Sequence, residues 1–293
     1  MKNFLIATNF IKDSNLSLTD RICEHLKSKG CSFKRIVGEQ ENGEDSKEVS
    51  FCISDSDSYD CVIALGGDGT ILQASRDLRK TKIPIVGVNL GTMGFLAEVE
   101  PEQIEAVLDR LIADDYQIEE RMNIVGEVYK AGGTKKGEER ILVHRDEALN
   151  DIVITRAGYS RIIGLKVYVN GRVMELYEAD GVIVSTPTGS TGYNLPAGGP
   201  IVSPKTDIII LTPISPHSLT SKSIVLSGDD EIEIEILKMR KAQEEEAIAS
   251  FDGQPGTQLS PGDRVRICRS EERTRMIKLF DVSFYKVLRD KIR

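Results

Sequence analysis

The sequence contains no tryptophan, and aromatic residues fill only 5% of its 293 positions. Soft metal ligands are equally sparse. The three histidines, His25, His144 and His217, are scattered. The five cysteines (Cys23, Cys31, Cys52, Cys61 and Cys268) include no C-x-x-C pair, and their number is odd. Neither a zinc framework nor a disulfide scaffold follows, which fits a reducing cytosol. No stretch approaches the ~18 apolar residues that span a bilayer. The opening MKNFLIATN has one lysine and an apolar run too short for a signal peptide, so a cytoplasmic location is expected. A formal net charge of −8 argues against a general nucleic-acid or anionic-membrane surface. The phosphate and dinucleotide fingerprints G-x-x-x-x-G-K-[ST] and G-x-G-x-x-G are missing as well.

What is there is ordinary for a globular chain: 40% hydrophobic and 29% charged residues, in a length sufficient for two cores. The first 112 residues alternate strand and helix patterns. FLIATN (4–9), SFKRIV (32–37), CVIAL (61–65) and IPIVGVN (83–89) read as strands. Leu18, Ile22 and Leu26 form a helical stripe closed by Gly30, and PEQIEAVLDRLIADD (101–115) opens a helix with proline. Residues 38–48, GEQENGEDSKE, read as a solvated loop. Such alternation implies a doubly wound parallel sheet.

Near residue 120 the pattern becomes strand-rich. MNIVGEVYK (122–130), the polar turn AGGTKKGEE and ILVHRDEALNDIVITR (141–156) read as hairpin material. In LKVYVNGRVMEL (165–176), Asn170-Gly171 is a strong two-residue hairpin signal. The last stretch, FDVSFYKVLRDKIR (280–293), reads as strand then helix. The expected organisation is an α/β domain over 1–118, an all-β, sandwich-like domain over 119–272, and a segment over 273–293 that returns to the first domain.

Six stretches bear on chemistry. CVIAL runs into Gly66-Gly67-Asp68-Gly69-Thr70, followed by a helical pattern with Thr70 at the N-cap position. Bare amides at a helix N-terminus suit a phosphate. An acid there repels phosphate unless a metal or a proton transfer employs it; a plain βα turn in which Asp68 caps the helix is the other reading. NLGTMGFL (89–96) also follows a strand, with Gly91 and Gly94 permitting close approach at the carboxyl edge of the sheet. TPTGSTGYNLPAGGPIV (186–202) is too rich in glycine, proline and hydroxyls for a core or a regular element, and offers many donors around a polar ligand. Asn150-Asp151, Asp180 in YEADG, and Asp252-Gly253-Gln254 are ambiguous taken singly.

Together these stretches resemble the NAD kinase family. GGDGT at 66–70, NLGTMGFLAE at 89–98, Asn150-Asp151, DGVIVSTPTGSTGYNLPAGGPI at 180–201 and FDGQ at 251–254 fall in the family's order over nearly the whole chain. GGDGT alone is shared with diacylglycerol and sphingosine kinases and, loosely, phosphofructokinases; the TPTGSTGYNLPAGGP run is far more specific. The resemblance implies transfer of the γ-phosphoryl group of ATP, or of polyphosphate, to the 2′-hydroxyl of the adenosine ribose of NAD, giving NADP. It implies that Asp68 is the catalytic carboxylate, with Gly69 beside it. It places NAD contacts at Asn150, Asp151, Arg161, Asp180, Thr188, Thr191, Gly192, Tyr193, Asn194, Leu195, Pro196 and Gln254. Glu178 stands where many relatives carry Arg or His, and Pro196 where many carry a small polar residue.

No dedicated metal cage is expected. A divalent ion, Mg²⁺, would arrive on the phosphate donor. The implied partners are NAD and ATP or polyphosphate, in a homodimer or homotetramer. The competing readings are a GGDGT-type lipid kinase and an NAD-binding sensor without turnover.

Overall fold

The computed structural model describes residues 1–38, 58–91, 94–132, 140–157, 162–218, 220–238, 247–280 and 284–291. Of the loop expected at 38–48, residues 39–48 lie outside them, as do residues 133–139 of the turn expected at 131–139. In chain order the elements begin β1 (Asn3–Asn9), α1 (Ser17–Ser28), β2 (Ser32–Gly38), β3 (Cys61–Gly66), α2 (Asp68–Leu78), β4 (Ile85–Asn89) and α3 (Ile104–Ile112). There follow β5 (Gln117–Lys130), β6 (Ile141–Ala148), β7 (Asp151–Arg156), β8 (Ile163–Val169), β9 (Arg172–Ala179), β10 (Gly181–Ser185) and β11 (Ile208–Ile214). The chain ends with β12 (Ile224–Ser227), β13 (Ile232–Leu237), β14 (Ala247–Phe251), β15 (Thr257–Leu259), β16 (Arg264–Lys278) and α4 (Phe284–Lys291). Two compact units form: Met1–Glu120 with Thr274–Arg293, and Arg121–Arg273.

In the first unit β2, β1, β3 and β4 lie side by side, all parallel, and the end of β16 adds Met276 beside Ile85. Alternate residues of a strand face opposite sides, and β4 shows the result. Val86 and Val88 join the cluster made by Leu18, Ile22 and Leu26 of α1 and Ile104, Val107, Leu108 and Leu111 of α3. Gly87, between them, faces α2, and a β-carbon there would come within 2.3 Å of Ile71 Cδ1. Helices therefore cover both faces, as expected of a doubly wound sheet.

Two local expectations need correction. The helix after β3 begins at Asp68, with Gly67 as its N-cap, three residues before a Thr70 cap would allow. Gly67 is extended (φ −111°, ψ −168°) and turns the chain directly into the helix. Thr70 points back instead: a β-carbon on Gly66 would meet its Oγ1 at 2.0 Å. At the C-terminus, β16 ends at Lys278 and α4 covers Phe284–Lys291, the helix expected there; residues 281–283, within the expected strand, lie outside the described residues. The glycine- and proline-rich run after β10 does contain one regular piece, a 3₁₀ turn at Gly189–Thr191.

The second unit is a β structure. β12, β11, β10, β7, β14 and β15 form one antiparallel sheet. The start of β16 pairs with β13, β13 with β8, and β8 with β9. Inward residues of both sheets, among them Ile152, Ile154, Val182 and Val184 against Leu165, Val167, Ile232 and Ile234, share one core, which gives the expected sandwich-like packing. Asn170 and Gly171 turn β8 into β9 with φ of +50° and +73°, the left-handed pair that a type I′ hairpin requires.

Candidate active site

Asp68 is the first residue of α2, where the buried strand β3 delivers it to the carboxyl edge of the parallel sheet. Its carboxylate is held from the neighbouring loop. Oδ2 accepts the N–H of Phe95 at 2.7 Å, and Oδ1 accepts those of Leu96 (3.1 Å) and Ala97 (3.4 Å). Gly94 admits this contact because it lacks a side chain: a β-carbon there would lie 1.7 Å from Asp68 Oδ1. On the other side, β-carbons on Gly67 and Gly69 would meet nothing within 4 Å. The N-terminal amides of α2 are thus approachable, with a fixed carboxylate among them.

In the second unit the organising residue is Asp252, which sequence reasoning passed over in favour of Gln254. Asp252 has φ +47°. Its carboxylate accepts three successive backbone N–H groups, from Leu149 (2.8 Å), Asn150 (2.7 Å) and Asp151 (3.0 Å), while its own N–H donates to the Asp151 carbonyl at 2.9 Å. The available signal was the Asp-Gly pair, a turn former whose acid can bind backbone amides. This clamp bends the chain before β7 and fixes Asn150 and Asp151. Burial, and secondarily the charge of Asp252, raises the Asp151 carboxyl from the ordinary 3.8 to about 7.

The run after β10 lies against the same bend. Thr186 donates to Asn150 O through N–H (2.8 Å) and to Leu149 O through its hydroxyl (2.5 Å). Gly189 is pressed on Asn150, whose carbonyl oxygen would be 2.1 Å from a β-carbon. At Gly192 a β-carbon would stand 3.4 Å from Asn150 Nδ2 and 3.7 Å from Asp151 Oδ2. Thr188 is buried and accepts from Arg121 Nη1 at 3.3 Å, and Thr191 donates to the Thr188 carbonyl. Asn194 is fully buried: its Nδ2 donates to the carbonyls of Ser190 and Pro200, and its Oδ1 accepts from Thr212. Its side chain therefore pins the loop. Tyr193 and Pro196 are exposed, and Leu195 is half-buried. Gln254 closes the turn after β14 with its N–H on Phe251 O.

Asn150, Asp151, Thr188, Thr191, Gly192 and Gln254 therefore share one end of the six-strand sheet. Asp180 does not. Ser185 stands opposite Asp151 in the β10–β7 ladder, whereas Asp180 lies at the other end, pairing with Arg156 Nε at 2.8 Å. Arg161 lies outside the described residues. Among the described residues no three His, Cys, Asp or Glu side chains cluster as metal ligands would.

A carboxylate fixed among open amides at the carboxyl edge of a parallel sheet is the equipment of a phosphotransferase. Known proteins agree. Residues 4–116 match the ATP-NAD kinase N-terminal domain and residues 149–279 the ATP-NAD kinase C-terminal domain. The NAD kinase of Lachnoclostridium phytofermentans is 47% identical over 99% of both chains. Among solved structures, an NAD kinase from Archaeoglobus fulgidus in complex with ATP superimposes with a TM-score of 0.72 at 26% identity, covering 100% of this chain and 99% of that one. The yeast NADH kinase complexed with NADH has the same fold, with a TM-score of 0.81 at 24% identity over 96% of this chain and 84% of that one. The chain belongs to the NAD kinase family.

Proposed function

We propose that the chain carries out its family's reaction with the following division of labour. The 2′-oxygen of the adenosine ribose of NAD attacks the γ-phosphorus of ATP, the bond to the bridging oxygen breaks, and ADP and NADP result. Asp68 takes the hydroxyl proton and passes it to solvent. The observation that carries this reading is the fixed Asp68 carboxylate beside the open glycines of α2. Its two oxygens offer about four acceptor sites, and three amides use three of them, which leaves Oδ2 room for a hydroxyl. Asn150 and Asp151, stiffened by Asp252, bind NAD together with Thr191, Gly192 and Gln254. Asn194 acts through loop shape.

The donor brings Mg²⁺ on its phosphates, since that ion keeps most of its waters and takes few protein ligands. A homodimer or homotetramer is part of the proposal; the exposed apolar residues Ile141, Leu142 and Val143 of β6 and Val173 and Leu176 of β9 support a self-association surface. So is a cytoplasmic location, in keeping with the free thiols of Cys23, Cys31, Cys61 and Cys268.

The test is purified protein incubated with NAD, Mg²⁺ and either ATP or polyphosphate. NADP should form with ATP. Tight NAD binding without NADP formation from either donor would overturn the catalytic reading.

A further inference from the structure

Two lysines from opposite ends of the chain stand against the loop after β4, whose amides hold Asp68. Lys291 ends α4, and its Nζ stands 4.1 Å from the centroid of the Phe95 ring. Phe95 is the residue whose N–H meets Asp68 Oδ2 at 2.7 Å. Phe284, at the start of α4, packs on that ring too, with centroids 6.4 Å apart. Both ends of α4 are thereby seated on the loop that orients the carboxylate. Burial pushes the Lys291 ammonium pKa down, and the charge of Asp68 acts in the opposite direction, so the two groups lie within electrostatic reach.

Lys12 comes from the turn after β1. A β-carbon on Gly91, in the loop after β4, would come within 2.8 Å of its Nζ. Neither lysine has an ion-pair partner among the described residues. In a chain of net charge −8, two unpaired ammonium groups beside an acidic turn await an anion. A nucleoside triphosphate brings several negative charges to a place where Asp68 repels them. The α2 N-terminus offers only about half a positive charge in return. Phosphoryl transfer depends on neutralising that charge as well as on positioning.

We propose that Lys291 and Lys12 are donor-binding residues that contact the phosphates of ATP at the Asp68 turn. This assignment rests on the NAD kinase reading. It also gives α4 a use, since that helix has no buried residue of its own and carries Lys291 to the site.

The experiment is steady-state kinetics of the full chain with Lys291→Met, Lys291→Arg and Lys12→Met. A lost charge-assisted contact should raise KM for ATP roughly 10–100-fold. KM for NAD should stay within about twofold, and Lys291→Arg, which can also stack on Phe95, should recover most of the loss. Inorganic tripolyphosphate, used as an inhibitor competing with ATP, should weaken in parallel. Thermal shifts with NAD alone verify that each variant is folded. If the wild type forms no NADP, the family reaction itself has failed. If the wild type turns over and both Met variants keep their KM for ATP, or lose affinity for NAD instead, the lysine assignment is wrong.

Discussion

Gly94 and Asp68 are matched to each other: the position of a β-carbon on Gly94 lies 1.7 Å from Asp68 Oδ1. That approach lets the amides of residues 95–97 reach the carboxylate. Gly94→Ala must push either the loop or the acid aside. Since misplacing a reacting group by about 1 Å can cost roughly 10²-fold, kcat should fall by about that factor while NAD affinity stays close to wild type. Wild-type kcat in Gly94→Ala would show that the contact has no part in catalysis.

Asp68→Asn is less conservative than its shape suggests. The Asn side chain has one oxygen acceptor, and its NH₂ would face an N–H donor that now meets Asp68, either Phe95 or the Leu96–Ala97 pair. The variant loses the proton acceptor and opposes at least one donor. General-base catalysis is worth roughly 10²–10⁴-fold, so kcat should fall at least 10²-fold. An unsatisfied amide costs about 1–3 kcal/mol, so denaturant unfolding should also show a loss. A variant that turns over at the wild-type rate would rule out Asp68 as the base.

Asp252 is a positioning residue, and its removal should be read in substrate affinity. Asp252→Ala leaves three N–H groups of the 149–151 bend without their acceptor. Asn150 and Asp151 then lose their fixed orientation. KM for NAD should rise roughly 10–100-fold, with KM for ATP little changed. Asp252→Asn keeps one acceptor oxygen and should fall between the two. Equal KM values for NAD in all three proteins would mean that the bend holds its shape without the clamp.

The layout of the two units was legible where a single element carries the signal. Alternating apolar strands and helical stripes announce the doubly wound sheet, and Asn170-Gly171 announces its hairpin. The GGDGT turn could be placed at a strand end for the same reason. What stayed hidden depends on contacts between distant residues. Asp252 meets Leu149 across 103 positions, and no local pattern shows that an acid beside Gly253 spends itself on those amides. Thr70 looks like a helix cap until Gly66 is seen to leave room for its side chain. Asn194 looks like a ligand-binding amide, yet it is consumed by Ser190, Pro200 and Thr212. Asp180 shares a motif with the run after β10, and the length of that strand carries it to the opposite end from Asp151.

Asp151 yields a prediction in which stability and binding move in opposite directions. The residue is only 5% exposed, and its carboxyl is raised from 3.8 to about 7, first by burial and then by the neighbouring Asp252 charge. A raised acid keeps its proton in the folded state at pH values where the unfolded chain has released it. The folded state then binds more protons, so its advantage is complete below the unfolded value near 3.8 and is lost as pH climbs to about 7. The slope in that window is at most about 1.4 kcal/mol per pH unit. Other carboxylates titrate there too, so the comparison must be with Asp151→Asn, which keeps the shape and cannot ionise. The two proteins should be nearly equal near the acid end of the window. Asp151→Asn should gain steadily as pH rises and hold a constant lead above about 8. The same variant should bind NAD more weakly, because a hydroxyl-accepting carboxylate has been lost. Urea unfolding of both proteins across this range measures the difference directly. A lead that does not change with pH, or a variant less stable than wild type under alkaline conditions, would show that Asp151 is charged at little cost in the folded chain.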